Sequence, residues 1–348
     1  MGPRVAQFER SFAGFCGAAR GVAFPSCTAS LEAALVGFGI GPGDEVLVPV
    51  ETFIATGMAV HAVGARPVFT EISPRTFGMD FDDAADRITD RTRGAIVVHF
   101  GGFIDVDLPR FVSRMRASGR FVIEDAAHAH GAELEGRRAG SLADAGCFSF
   151  YPTKIMTTGE GGMLLTSRED VAAVARSLQQ RGRDLESEAE LYSRPGRNNR
   201  FTEIAAAMGS SQLRCLPEFL ARRRRIAAIY DAALADHELL QPIRPEPGCV
   251  PSYWRYVVVP RVPVDRTALT AALAAMGIAI DSAYQPALHL QPIFRELFGT
   301  RPGLLPIAEG LLDRHFCLPV HARMEETDAE YVVDRLLTCV NAARTVLS

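Results

Sequence analysis

The chain has 348 residues, 48% hydrophobic and 22% charged, with 37 Lys and Arg against 41 Asp and Glu for a net charge of −4. That composition supports a sizeable buried core and gives no electrostatic reason to bind nucleic acid. Arg4, Glu9 and Arg10 interrupt the N-terminus before an apolar run builds, and no run of about eighteen apolar residues occurs anywhere, so secretion and membrane spanning are disfavoured and a cytoplasmic protein is expected.

A strand over Gly21 to Phe24 leads into Ser26-Cys27-Thr28-Ala29-Ser30, small and hydroxyl residues that open an alanine- and leucine-rich helix, with Glu32 available to its first turn. Such a helix start offers free backbone N–H groups and a positive dipole end to an anion. It reads equally as an ordinary Ser/Thr cap. Strand-length apolar runs follow at Glu45 to Val50, Pro67 to Ile72, Ala95 to Phe100, Phe121 to Glu124, Gly146 to Phe150 and Met163 to Thr166. Helical patterns near Phe53 to Val63, Leu108 to Ala117 and Asp170 to Gln180 alternate with them, which predicts a mostly parallel α/β sheet. A long helix is expected from Thr202 to about Ala235, and its Arg222-Arg223-Arg224-Arg225 run reads as a solvated face. Beyond Pro242 the prolines thicken. A strand over Tyr253 to Val259 and helices near Arg266 to Met276 and Asp328 to Arg344 predict a smaller C-terminal α/β domain, so that residues 1–235 and 236–348 form two units. Cys16, Cys27, Cys147, Cys215, Cys249, Cys317 and Cys339 are widely spaced, with no CxxC pair for a metal, and read as small core residues in a reducing compartment.

Within this frame two places carry chemistry. Lys154 lies between the apolar run ending at Phe150 and the turn Gly159-Glu160-Gly161-Gly162, where its ammonium is hard to solvate. Desolvation lowers a lysine pKa toward the range in which the amine is a nucleophile able to form a Schiff base. Upstream, Phe121-Val122-Ile123-Glu124-Asp125 ends in two acids, placing Asp125 at the carboxyl end of a parallel strand, where open α/β sheets bind ligands. A carboxylate buried there calls for a cationic partner. The pyridinium nitrogen of pyridoxal phosphate is one such partner; a helix cap or an arginine pair is the other reading of Asp125.

Taken together these blocks resemble the DegT/DnrJ/EryC1/StrS family of pyridoxal phosphate dependent sugar aminotransferases. The likeness runs from about Gly2 to the C-terminus. It rests on Ser26-Cys27-Thr28-Ala29, on Gly39 to Val46, on Glu124-Asp125-Ala126-Ala127-His128 with His130-Gly131-Ala132, and on Gly146 to Phe150 with Thr153-Lys154. It continues in Gly159-Glu160-Gly161-Gly162-Met163, Asn198-Asn199-Arg200 with Glu203-Ile204, and Pro286-Ala287-Leu288-His289-Leu290-Gln291-Pro292. The resemblance implies an aspartate aminotransferase-like, fold-type I structure, pyridoxal 5′-phosphate as cofactor and an active homodimer.

By the same resemblance, Lys154 attaches the cofactor, Asp125 binds its ring nitrogen and His128 sits against the ring oxygen. Thr28, the Ala29 backbone and Ser149 hold the phosphate, completed by Asn198 from the neighbouring subunit, and Phe53 stacks on the ring. Phe53 also reads as a core aromatic, His128 as a satisfied buried histidine, Asn198 as a loop residue, and Arg200 as either a structural pair or a substrate contact. Tyr284, His289 and Glu160 are further candidate substrate contacts. The expected reaction moves an amino group from an amino acid, glutamate in most relatives, to a keto sugar, with a nucleotide-linked sugar favoured. The chain begins very near the family's Gly-Pro block, and it has Ala283-Tyr284 where relatives often have His-Tyr and Arg181-Gly182 where many have His-Gly. Those departures keep open an unactivated keto sugar or cyclitol as acceptor. A cofactor-binding regulatory protein without turnover is the reading from another class, and the intact Lys154 argues against it.

Overall fold

The computed structural model describes residues 2–262 and 264–347, the stretch from 342 onward by backbone alone. It opens on a helix, α1 (Pro3–Cys16), which has proline in its first turn, stops at Gly17 with φ 81°, and buries Val5, Phe8, Phe12 and Cys16 along one stripe. Its free N-terminal N–H groups are met from far along the chain, where the Glu203 carboxylate accepts from Arg4 at 3.1 Å and Val5 at 3.0 Å.

After α1 the chain alternates strand and helix. β1 (Arg20–Phe24), α2 (Cys27–Gly37), β2 (Glu45–Pro49), α3 (Ile54–Ala62) and β3 (Arg66–Thr70) are followed by α4 (Phe81–Asp86), β4 (Thr92–Val98), α5 (Leu108–Ala117) and β5 (Phe121–Asp125). A short hairpin, β6 (Glu133–Leu134) with β7 (Arg137–Arg138), precedes β8 (Ala145–Ser149), β9 (Gly162–Thr166) and α6 (Glu169–Gln179). The seven strands of the large sheet lie in the order β1-β9-β8-β5-β4-β2-β3. Only β9 opposes the rest, since it pairs antiparallel with both β8 and β1 while the other pairings are parallel. Strands β2, β5, β8 and β9 are buried along their whole length because helices cover both faces. Alternate residues of each strand feed separate cores, Ile123 and Cys147 entering one and Val122 and Phe148 the other.

The long helix α7 (Glu203–Ala233) leads to β10 (Leu240–Pro242), β11 (Cys249–Val250) and β12 (Tyr256–Pro260). Then come α8 (Arg266–Ala275), α9 (Pro292–Phe298), α10 (Pro306–Arg314), β13 (Phe316–Leu318) and α11 (Glu326–Leu347). Strands β10, β12 and β13 make a small antiparallel sheet, and β11 joins the β6–β7 hairpin. Two expectations are corrected. The strand expected from Tyr253 begins only at Tyr256, because Tyr253 adopts φ 51° and breaks the extended run. The arginine run of α7 is a solvated face only at Arg225, with Arg222 and Arg224 partly buried. Arg223 is buried and donates to the carbonyls of Tyr253 at 2.9 Å and Val320 at 2.7 Å, while Arg224 reaches those of Pro251 and Gly131 and Arg222 that of Ala322. A guanidinium supplies five fixed donors, and here they tie α7 to loops whose carbonyls no strand satisfies. Burial lowers the Arg223 pKa to about 10. No helix among the described residues is long and apolar enough to cross a membrane.

Candidate active site

Because six strands share a direction, the carboxyl ends of β1, β2, β4, β5 and β8 open on one edge of the sheet, together with the amino end of β9. A cavity of about 420 Å³ lies on that edge. Thr28, Phe53, Asp125, His128, Ser149, Lys154, Glu160 and Tyr284 all line it, so the structure brings eight of the sequence-derived residues together.

The α2 end is set by its cap. Ser26 is extended and its Oγ accepts the Ala29 N–H at 3.2 Å, which leaves Cys27 and Thr28 in the first turn with N–H groups that have no intrahelical acceptor. Gly162 at the start of β9 lets this turn rest on the sheet, since a Cβ there would stand 2.3 Å from the Ser26 carbonyl. Ala29 itself is buried behind the wall.

Asp125 ends β5 buried. Its Oδ2 accepts from Thr56 Oγ1 at 2.8 Å, its Oδ1 from the Ala127 N–H at 3.2 Å, and Cys27 Sγ lies 4.0 Å from Oδ1. Since Thr56 donates to Asp125, the 2.6 Å contact between Thr52 and Thr56 has Thr52 as its donor. Burial raises the Asp125 pKa against these donors and the Lys154 charge.

Lys154 follows β8 in a turn closed by its own N–H on the Tyr151 carbonyl at 2.9 Å. Trp254 clamps that turn, its Nε1 donating to the Thr153 carbonyl at 2.9 Å, and the Lys154 Nζ lies over the indole, 4.3 Å from its centroid. Burial lowers the lysine pKa to about 8, opposed by the Asp125 and Cys27 charges and assisted by Arg255. His128 stacks on the other partner of this wall, with ring centroids 3.6 Å apart and 15° between the planes of His128 and Trp254. Its Nε2 meets Tyr284 Oη at 2.9 Å, and its Nδ1 is buried without a hydrogen-bond partner among the described residues. Burial first, then the Lys154 charge, holds the imidazole neutral.

Phe53 is 55% exposed at the rim, so it is not a core aromatic. His289 is a correction. It is fully buried in a turn ahead of α9 with Nε2 on Glu309 Oε1 at 3.0 Å, so it braces the C-terminal segment rather than facing the cavity. Asn198 and Arg200 lie exposed on the loop before α7, outside this cavity, with Asn198 bridged to Gln180. Sequence reasoning missed Thr52, Thr56, Cys27, Trp254 and Arg255. The only tryptophan in the chain, followed directly by an arginine ahead of an apolar strand, was the signal for the last two.

The model of the DegT/DnrJ/EryC1/StrS aminotransferase family matches residues 1–337. The chain belongs to this family. It is 36% identical to GDP-perosamine synthase of Caulobacter vibrioides over 97% of this chain and 90% of that protein. The aminotransferase TlmJ of Streptoalloteichus hindustanus superposes with a TM-score of 0.91 at 34% identity, covering 99% of this chain and 92% of the other. Spr1654 of Streptococcus pneumoniae is similar in both its PMP form (TM-score 0.92, 28% identity, 99% of this chain and 92% of that one) and its PLP form (TM-score 0.90, 29% identity, 97% and 91%). This family member is therefore an aminotransferase with the α/β fold of fold-type I enzymes.

Proposed function

We propose that the cavity binds pyridoxal 5′-phosphate and that the enzyme moves an amino group from an amino acid, glutamate, to a nucleotide-linked keto sugar. The observation that carries this is the pairing of a half-buried lysine whose pKa desolvation lowers to about 8 with a buried aspartate at a strand end, in one cavity. The residues fit the cofactor on their own chemistry. Asp125 is an under-supplied carboxylate suited to a ring N–H, His128 keeps one ring nitrogen without a partner, and the Cys27 and Thr28 N–H groups of the α2 turn, with the Thr28 and Ser149 hydroxyls, offer donors to a phosphate. When bound, the cofactor supplies an electron-withdrawing ring that acidifies the donor α-carbon.

The protein's part is then to hold and to move protons. Asp125 would keep the ring nitrogen protonated by its negative charge, and Lys154 Nζ, free as an amine above about pH 8, would take the α-proton and deliver it to the carbon on the other side of the transferred nitrogen. Phe53 at the rim would cover the ring, and Trp254 and His128 wall off water behind Lys154. Relatives named for GDP-, dTDP- and UDP-linked sugars support the nucleotide-linked acceptor.

The site is shared in a homodimer, with Asn198 of each copy completing the partner's phosphate site. Its exposed position outside its own cavity supports this, as do the exposed Leu191, Tyr192, Ile204 and Met208 around that loop. Charging the enzyme with glutamate, removing the donor and offering a panel of keto substrates tests the acceptor. Return of the original spectrum with nucleotide-linked keto sugars is expected. Return only with free keto sugars would contradict the reading.

A further inference from the structure

We infer that Arg255 is the carboxylate-binding residue for the amino acid donor, and that Asp281 takes its place as counter-ion whenever the donor is absent. The inference rests on the aminotransferase reading and assigns the donor subsite within it. Among the described residues of this chain that line the cavity Arg255 is the only arginine, and beside it Lys154 is partly neutral while burial disfavours the charged form of His128. Its guanidinium carbon lies 4.2 Å from the centroid of the Trp254 ring, the same indole that carries Lys154 Nζ at 4.3 Å. The two groups are near enough that Arg255 contributes to lowering the Lys154 pKa.

The fork of Arg255 is only part used. Its Nη2 pairs with Asp281 Oδ2 at 2.9 Å, but its Nε is buried with no hydrogen-bond partner among the described residues. A buried N–H without an acceptor is costly, and a planar fork with a free edge matches a carboxylate in two parallel hydrogen bonds. Position decides which anion comes there. The α-carboxylate is one bond from the carbon whose proton Lys154 removes, so it must lie beside Nζ, where Arg255 is. The diphosphate of a nucleotide sugar is separated from the reacting carbon by the sugar ring and belongs nearer the mouth. Asp281 is 48% exposed in its side chain and can turn to water while the donor is bound, then pair with Arg255 again when an uncharged sugar ring occupies the same space. One cavity can thus take a charged donor and a neutral ring in succession.

The test uses the cofactor-loaded enzyme with Arg255→Met, Arg255→Lys and Asp281→Asn. Trp254, the chain's only tryptophan, reports occupancy by fluorescence as 2-oxoglutarate, which carries the donor's carboxylates without its amine, is titrated in. Arg255→Met should weaken 2-oxoglutarate binding and raise the donor KM for glutamate and alanine alike by about tenfold to a hundredfold, as expected for loss of a charge-assisted pair. Arg255→Lys should recover part of that loss, the acceptor half-reaction should change far less than the donor one, and Asp281→Asn should lower the donor KM. An unchanged donor KM in both Arg255 variants overturns the inference, as does an equal loss in both half-reactions. A wild-type enzyme that accepts no amino acid donor would instead overturn the aminotransferase reading itself.

Discussion

Glu124 and Asp125 are neighbours on β5, both buried, and they face opposite sides of the sheet. Glu124 has four donors: the N–H groups of Gly140, Leu142 and Ala143 at 2.7, 2.7 and 2.9 Å, and His99 Nε2 at 2.9 Å. It staples the loop after the β6–β7 hairpin to the sheet. Asp125 has a hydroxyl, one N–H and a distant thiol, and beyond them the cavity. Burial alone therefore does not mark a functional acid. What separates the two is how many of their acceptor sites the protein fills itself.

The contrast can be broken from either side. Lys154→Ala should remove turnover by about a hundredfold to ten-thousandfold, measured as amino transfer from glutamate, while leaving the fold intact. Asp125→Asn should cost about a hundredfold to a thousandfold in the same assay. It should also raise the melting temperature of the cofactor-free protein at neutral pH. The sign follows from the raised Asp125 pKa: a group whose folded pKa lies above its unfolded value favours folding at low pH, and that contribution is lost as pH rises through the folded pKa. Glu124→Ala should do the reverse, lowering unfolding free energy in urea by about 3–5 kcal/mol because buried N–H groups lose their acceptor, with activity per folded molecule retained. Thr56→Val, which takes one donor from Asp125, should loosen cofactor binding by only about fivefold to tenfold in a titration of the cofactor-free protein. The smallest effect is on pH. The rate of cofactor attachment should climb with pH through about 8, where Lys154 is half deprotonated, and level off above it.

Much of the sheet was legible because strands buried on both faces read as continuous apolar runs, and helix α2 because Ser26 and Thr28 mark its start. Asp125 and Lys154 were legible as strand-end and turn residues, and the structure places both in one cavity. Helix α1 escaped because Arg4, Glu9 and Arg10 dilute its stripe and because its N-terminal N–H groups are met by Glu203, nearly two hundred residues away. Arg223 and Arg224 of α7 looked solvated since their partners are backbone carbonyls, which leave no mark in a sequence. The cavity wall made by Trp254 and Arg255 depends on the clamp on Thr153, a contact across the fold, and the partner of the buried His289, Glu309, likewise lies on another element.

The central claim is that the amine in this cavity is the one that carries the cofactor. Reduction of the pyridoxal phosphate-loaded protein with borohydride, followed by peptide mapping, tests it directly. The account predicts one covalent label, on Lys154, at a stoichiometry near one per chain and lost in Lys154→Ala. A label spread over surface amines, or none at Lys154 in a protein saturated with cofactor, would contradict it.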